Sequence, residues 1–164
     1  MAEFDVKKLK TSELVMLGGC LAVFIGVFLK WFAVGGGTVG DGAFRVSIPE
    51  FSVNGFHYFF QGTLPWLLAV AVAAVIIIRA FVPNVKLPDK VGSLGWGELY
   101  LIACGAAAFL VLTRLLMGDS GTDRKLGLFL ASLGSIAMAV GAFLKFQAKE
   151  EDAPAGGATP PTPF

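Results

Sequence analysis

The sequence predicts an all-α membrane protein: a four-transmembrane-helix bundle with a short strand-bearing extracytoplasmic loop between helices 1 and 2. Three observations predict it. Of the 164 residues 55% are apolar and only 15% charged, with a mean hydropathy of +0.74, whereas about a quarter of a soluble domain is charged. The apolar residues arrive in four blocks, 14–32, 65–82, 97–117 and 126–146, each at or near the roughly 20 residues that cross a hydrocarbon core about 30 Å thick. The block ends carry helix-start signals and interfacial aromatics.

The first span starts behind Thr11, Ser12 and Glu13, which can cap a helix and place a carboxylate at its positive end, and Trp31 marks its far end. Pro65 and Trp66 open the second, where Pro costs no hydrogen bond and Trp prefers the interface; Pro83 and Pro88 close it. The third follows Gly92, Ser93 and Gly95, with Trp96 at the interface and Glu98 in the first turn, and runs out at Gly118, Asp119 and Ser120. The fourth ends at Lys145. Residues 1–13 are then an N-terminal segment, 14–147 the bundle and 148–164, with Lys-Glu-Glu-Asp and four prolines, a disordered tail. The basic stretch Lys7, Lys8 and Lys10 could begin a cleaved leader, but the apolar block ends in Lys30-Trp31 rather than in small residues, so the first span is expected to stay. Leu17 to Cys20 imitates a lipoprotein box but is followed by a long apolar run.

With the N-terminus inside, Lys7, Lys8, Lys10, Arg79, Lys86, Lys90, Lys145 and Lys149 lie on the cytoplasmic side against Lys30, Arg45, Arg114, Arg124 and Lys125 outside. That bias places both termini in the cytoplasm. The outer loop, 33–64, begins glycine-rich and continues with Phe44, Val46 and Ile48 alternating with Arg45 and Ser47, the pattern of a half-buried strand. Phe51 and Val53 lead to an Asn54-Gly55 turn signal. The run Phe56, His57, Tyr58, Phe59 and Phe60, with Trp66, suits the headgroup layer or the bundle mouth and is a candidate contact surface.

Small residues at four-residue spacing let helices approach closely in lipid. Gly18, Ala22 and Gly26 in helix 1, and Gly127, Ala131, Ser135 and Ala139 with Gly134 and Gly141 in helix 4, predict that these two helices make the closest contact; a homodimer face is the competing reading.

The composition argues against several functions. Thirteen Lys and Arg against twelve Asp and Glu leave no basic excess for nucleic acid. One histidine, His57, and two distant cysteines, Cys20 and Cys104, cannot assemble a zinc site or two-histidine haem ligation, and no C-x-x-C pair is present. The thiols, at one depth, read as packing residues. Gly35, Gly37 and Gly40 spell a G-x-G-x-x-G outside any strand-helix context, which denotes flexibility. Glu13 and Glu98 read as helix-end carboxylates, with proton coupling as the functional alternative. Lys30, Arg114, Arg124 and Lys125 read as interface anchors, with Arg114 meeting Asp119, or as a basic patch for a lipid phosphate or an acidic partner. No catalytic set, cofactor or metal site is expected.

Lys30-Trp31-Phe32, the third-span ending Leu112-Thr113-Arg114-Leu115-Leu116, and Arg124-Lys125-Leu126-Gly127-Leu128-Phe129 resemble small uncharacterised four-span membrane proteins of the actinobacterial type, over about residues 14–146. The resemblance implies only a location, the bacterial plasma membrane, and an architecture. Claudin-like proteins share a strand-bearing first loop, but their paired loop cysteines are absent from 33–64. The functional expectation is a non-catalytic accessory or scaffolding subunit of a larger membrane complex, in contact with membrane lipids and with a membrane protein partner or another copy of itself. The alternative is a small transporter or lipid-handling protein.

Overall fold

The structure is a computed structural model that describes residues 9–42, 44–82, 85, 88, 90–118 and 121–151, the last three by backbone only. Lys7, Lys8, Pro83, Lys86, Asp119, Ser120 and the tail from 152 onward lie outside the described residues, and with them the expected Arg114–Asp119 contact. The fold is mostly helical. Among the described residues four segments, Thr11–Phe28, Phe59–Phe81, Trp96–Met117 and Leu126–Ala148, are long and apolar enough to cross a membrane.

Helix α1 spans Thr11–Phe28. The Glu13 carboxylate accepts a hydrogen bond from the Lys10 N–H at 3.1 Å, satisfying one of the donors a helix start leaves open. The helix ends four residues sooner than the sequence predicts: Leu29 is extended, and Lys30–Val34 form strand β1. The reason is sheet pairing. β1 is the middle strand of a three-stranded antiparallel sheet, between β4 (Phe51–Asn54) and β7 (Asp123–Arg124). The Lys125 N–H also donates to the Trp31 carbonyl at 2.8 Å. Trp31 is consequently no interfacial anchor. It is fully buried, and its Nε1 donates at 2.8 Å to the Gly26 carbonyl, one of those the end of α1 leaves open.

Strands β2 (Gly37–Val39) and β3 (Val46–Ile48) form a separate hairpin with Val39 opposite Val46 and Gly37 opposite Ile48. The alternation read as a half-buried strand is present, but every residue of both strands is exposed, because among the described residues the two strands pack chiefly on each other. Asn54-Gly55 does not close a hairpin either. It leads into one 3-10 turn, Gly55–His57, and a π turn, Phe59–Thr63, that runs into α2. Here two backbones touch. A Cβ on Gly62 would lie 1.9 Å from the Gly55 carbonyl oxygen, and one on Gly55 would lie 2.7 Å from the Trp31 ring.

Helix α2 (Leu64–Phe81) has a proline in its first turn, as expected. A two-residue hairpin, β5 (Lys90–Val91) and β6 (Leu94–Gly95), precedes α3 (Trp96–Met117), where Glu98 accepts from the Gly95 N–H at 2.7 Å. Helix α4 (Leu126–Glu151) runs past the expected boundary at 146.

Helix α1 packs on α4 and α2, and α3 packs on α4 and α2; the α1–α4 contact is the most extensive. It runs antiparallel, and its seam is glycine facing backbone. A Cβ on Gly19 would lie 2.6 Å from the Gly134 carbonyl, on Gly134 2.7 Å from the Val23 nitrogen, on Gly26 2.7 Å from the Ala131 nitrogen, and on Gly141 2.8 Å from the Ser12 carbonyl. The partnership is the expected one, with Ala22 and Gly26 in the seam as the stripe predicts, but Gly18 is exposed with nothing near it and Gly19 faces α4 instead. Gly19 with Gly26, and Gly127 with Gly134 and Gly141, recur every seven residues, which keeps one seam facing its partner along crossing helices. Met16, Val23, Leu128, Ala131 and Met138 fill the same core.

Candidate functional site

The two ends of the helices carry the polar chemistry. At the Lys30 end, β1 turns Trp31 and Phe32 inward, and Tyr58 packs on both, stacked on Trp31 with ring centroids 6.2 Å apart and edge-on to Phe32 at 5.7 Å. The Arg114 guanidinium, from the last turn of α3, lies 3.9 Å from the Tyr58 ring centre and 4.8 Å from that of Phe32, a cation-π arrangement that holds the charge against aromatic faces. A second aromatic group joins Phe24, Phe28, Phe56 and Trp66 at centroid distances of 5.0 to 6.4 Å.

The predicted contact surface is thereby divided. Phe56, Tyr58 and Trp66 are half-buried parts of these groups, while His57, Phe59 and Phe60 are exposed. The predicted basic patch is divided too. Lys30 Nζ donates to Glu50 Oε1 at 2.9 Å, and Lys125 Nζ lies 3.9 Å from Glu50 Oε2. Arg124 donates to the Leu116 carbonyl at the end of α3 at 3.4 Å, and Arg114 is over its rings. Lys30 and Lys125 alone converge, and they do so on Glu50.

Sequence reasoning gave Glu50 no part in this, since it stands 20 residues from Lys30 and reaches it only because β4 folds back beside β1. The hydrogen bond from Lys30, helped by the charges of Lys30 and Lys125, holds the Glu50 carboxyl below the usual carboxylate range. A depressed carboxylate contributes its interaction above its unfolded pKa and loses it as pH falls through the folded one. The Lys30–Glu50 contact is therefore expected to persist through neutral pH and to open only in acid below the ordinary carboxylate range. An NMR titration of the Glu50 side chain checks this, and Lys30→Gln is expected to move its midpoint up.

At the opposite end, Glu13 accepts from Lys145, joining the first turn of α1 to α4. Lys145 Nζ lies 4.8 Å from the centre of the Tyr100 ring of α3, and Arg79 of α2 lies 5.1 Å from that of Trp96. Glu13 thus serves both its own helix start and a cross-helix ion pair; Glu98 serves its helix start. Both members of the Glu13–Lys145 pair are about four-fifths buried, so removing one partner strands the other. Lys145→Met is expected to lower stability by about 2–4 kcal/mol, and the double replacement Glu13→Gln with Lys145→Met by less than the sum of the singles. Denaturation in detergent with a double-mutant cycle measures both.

Cys20 and Cys104 are buried in the common core as free thiols. Ser132 and Ser135 are buried as well, and each donates within its own helix, to the Leu128 carbonyl at 2.7 Å and the Ser132 carbonyl at 2.9 Å. These hydroxyls are therefore spent on the helix backbone. Among the described residues no group of three or more His, Cys, Asp or Glu side chains could hold a metal ion. No family model, curated protein or solved structure matches the chain.

Proposed function

We propose that the protein is a plasma-membrane bundle of four crossing helices, both termini cytoplasmic, that acts without catalysis as an accessory subunit of a larger membrane assembly. One observation carries this reading. The β2–β3 hairpin is two-faced: Gly37, Val39, Val46 and Ile48 share one side and Thr38 and Ser47 the other, by strand alternation and register. Val39 and Val46 are about two-thirds exposed, and Phe44, two residues before Val46, is more exposed still. An apolar sheet face outside the spans, built on the period that normally faces a core, is suited to a contact that the described residues do not themselves complete. A membrane protein partner whose own loop offers an apolar surface fits that face.

The test is recovery of the C-terminally tagged protein from its native host in mild detergent, with stoichiometric partners identified by mass spectrometry. The reading expects a defined partner set that Val46→Lys with Ile48→Lys removes while the protein remains folded. Recovery as an isolated monomer, or partners unchanged by the two lysines, counts against it.

A further inference from the structure

Beside β4 an open groove of about 570 Å³ is lined by Phe28, Lys30, Ser52, Asn54, Phe56 and His57, among others. Its volume lies within the range of small-molecule sites. The lining is split in character. Lys30, Ser52, Asn54 and His57 bring ammonium, hydroxyl, amide and imidazole donors, a set suited to phosphate oxygens. Phe28 and Phe56, edge to face at 5.0 Å, form an apolar wall. That wall continues down α1, where Leu21, Phe24, Ile25 and Phe28 are all exposed at the spacing of one helix face.

We propose that this groove binds the phosphate headgroup of an amphiphile, with an acyl chain laid along Leu21, Phe24, Ile25 and Phe28. The proposal rests on the membrane placement above and is independent of the accessory-subunit role. In that placement Lys30, two residues beyond the end of α1, stands at headgroup depth, and the apolar track below it faces the chains. Glu50 is the group that opposes an anion here, since it already holds Lys30 at 2.9 Å. That pair is solvent-exposed, and such pairs hold weakly. Glu50 also has Lys125 at 3.9 Å, so when Lys30 turns to a phosphate the carboxylate keeps a cation.

The experiment is native mass spectrometry of the full-length protein in a sugar-headed detergent. The probes are phosphatidylglycerol, a diacylglycerol with the same chains, and inorganic phosphate. The proposal expects phosphatidylglycerol to be retained over diacylglycerol. Lys30→Gln and His57→Gln each lower its occupancy about fivefold, the loss of one charge-assisted contact. Glu50→Gln raises it, a gain that a misfolded protein could not show. Equal retention of the two lipids, or no response to Lys30→Gln and Glu50→Gln, overturns the proposal. Binding of inorganic phosphate that competes the lipid away replaces the amphiphile with a free anion. Because the detergent assay contains no partner, failure of the accessory role leaves this result untouched.

Discussion

Gly134→Leu is expected to separate α1 from α4 and cost about 3 kcal/mol, the top of the usual range for overpacking a close contact. Helix propensity acts in the opposite direction: replacing a mid-helix glycine gains up to about 1 kcal/mol. Steric overlap decides the sign, because a Cβ at 134 would lie within 2.8 Å of the Val23 nitrogen, the Ala22 Cβ and the Gly19 carbonyl. Backbone cannot rotate aside as a side chain can, so the helices must move apart and surrender the seam. Gly18 supplies the control. Nothing lies within 4 Å of a Cβ there, so Gly18→Ala is expected to be neutral or to stabilise by up to about 1 kcal/mol. The molecule carries its own reporter: Cys20 and Cys104 are buried, and a thiol-reactive dye reads their exposure on heating in detergent. A Gly134→Leu protein melting with wild type would refute the seam.

Trp31→Ala is expected to cost about 3–5 kcal/mol, the usual loss for a large aromatic removed from a core. Its stack on Tyr58 goes, Arg114 loses the support behind one of its rings, and the Gly26 carbonyl loses its donor. Trp31→Phe keeps most of the volume and drops the donor, for about 1–3 kcal/mol. A coupling test isolates the contact. Gly55→Ala drives a Cβ against the indole at 2.7 Å and is expected to destabilise the native protein, yet to be almost free in the Trp31→Ala background. Thermal melts of the four proteins measure the cycle; additive effects would show that Gly55 and Trp31 do not meet.

Much of the helical layout was legible because apolar length alone determines it: each of the four predicted blocks contains the bulk of a helix. The helix-end roles of Glu13 and Glu98 were legible from the first-turn position, which is local chemistry. The end of α1 was not. Leu29, Trp31 and Phe32 extend the apolar run of the helix, and Lys30 among them suits a helix end at the interface as well as a strand; only pairing with residues 51–54 and 123–124 draws Lys30–Val34 into a strand. The choice between Gly18 and Gly19 was equally hidden, since a four-residue stripe and a seven-residue one share Gly26 and part by one position two turns earlier. At the candidate site, the four basic residues could be named from sequence, but their dispersal could not. Glu50 gathers Lys30 and Lys125 through strand pairing, and Arg114 finds Tyr58 through tertiary packing.

The seam between α1 and α4 also orders the events of biosynthesis. The earliest of the four helices to leave the ribosome carries a glycine face whose partner is the latest, so that face must wait uncovered while the two intervening helices are made. Packing α1 on α2 and α2 on α3 can proceed during synthesis, but the ring is closed by a contact of high sequence separation, the kind that forms last and slowly. A chain halted before residue 126 would hold three helices with the backbone of Gly19 and Gly26 uncovered, a ready mark for membrane quality control to read.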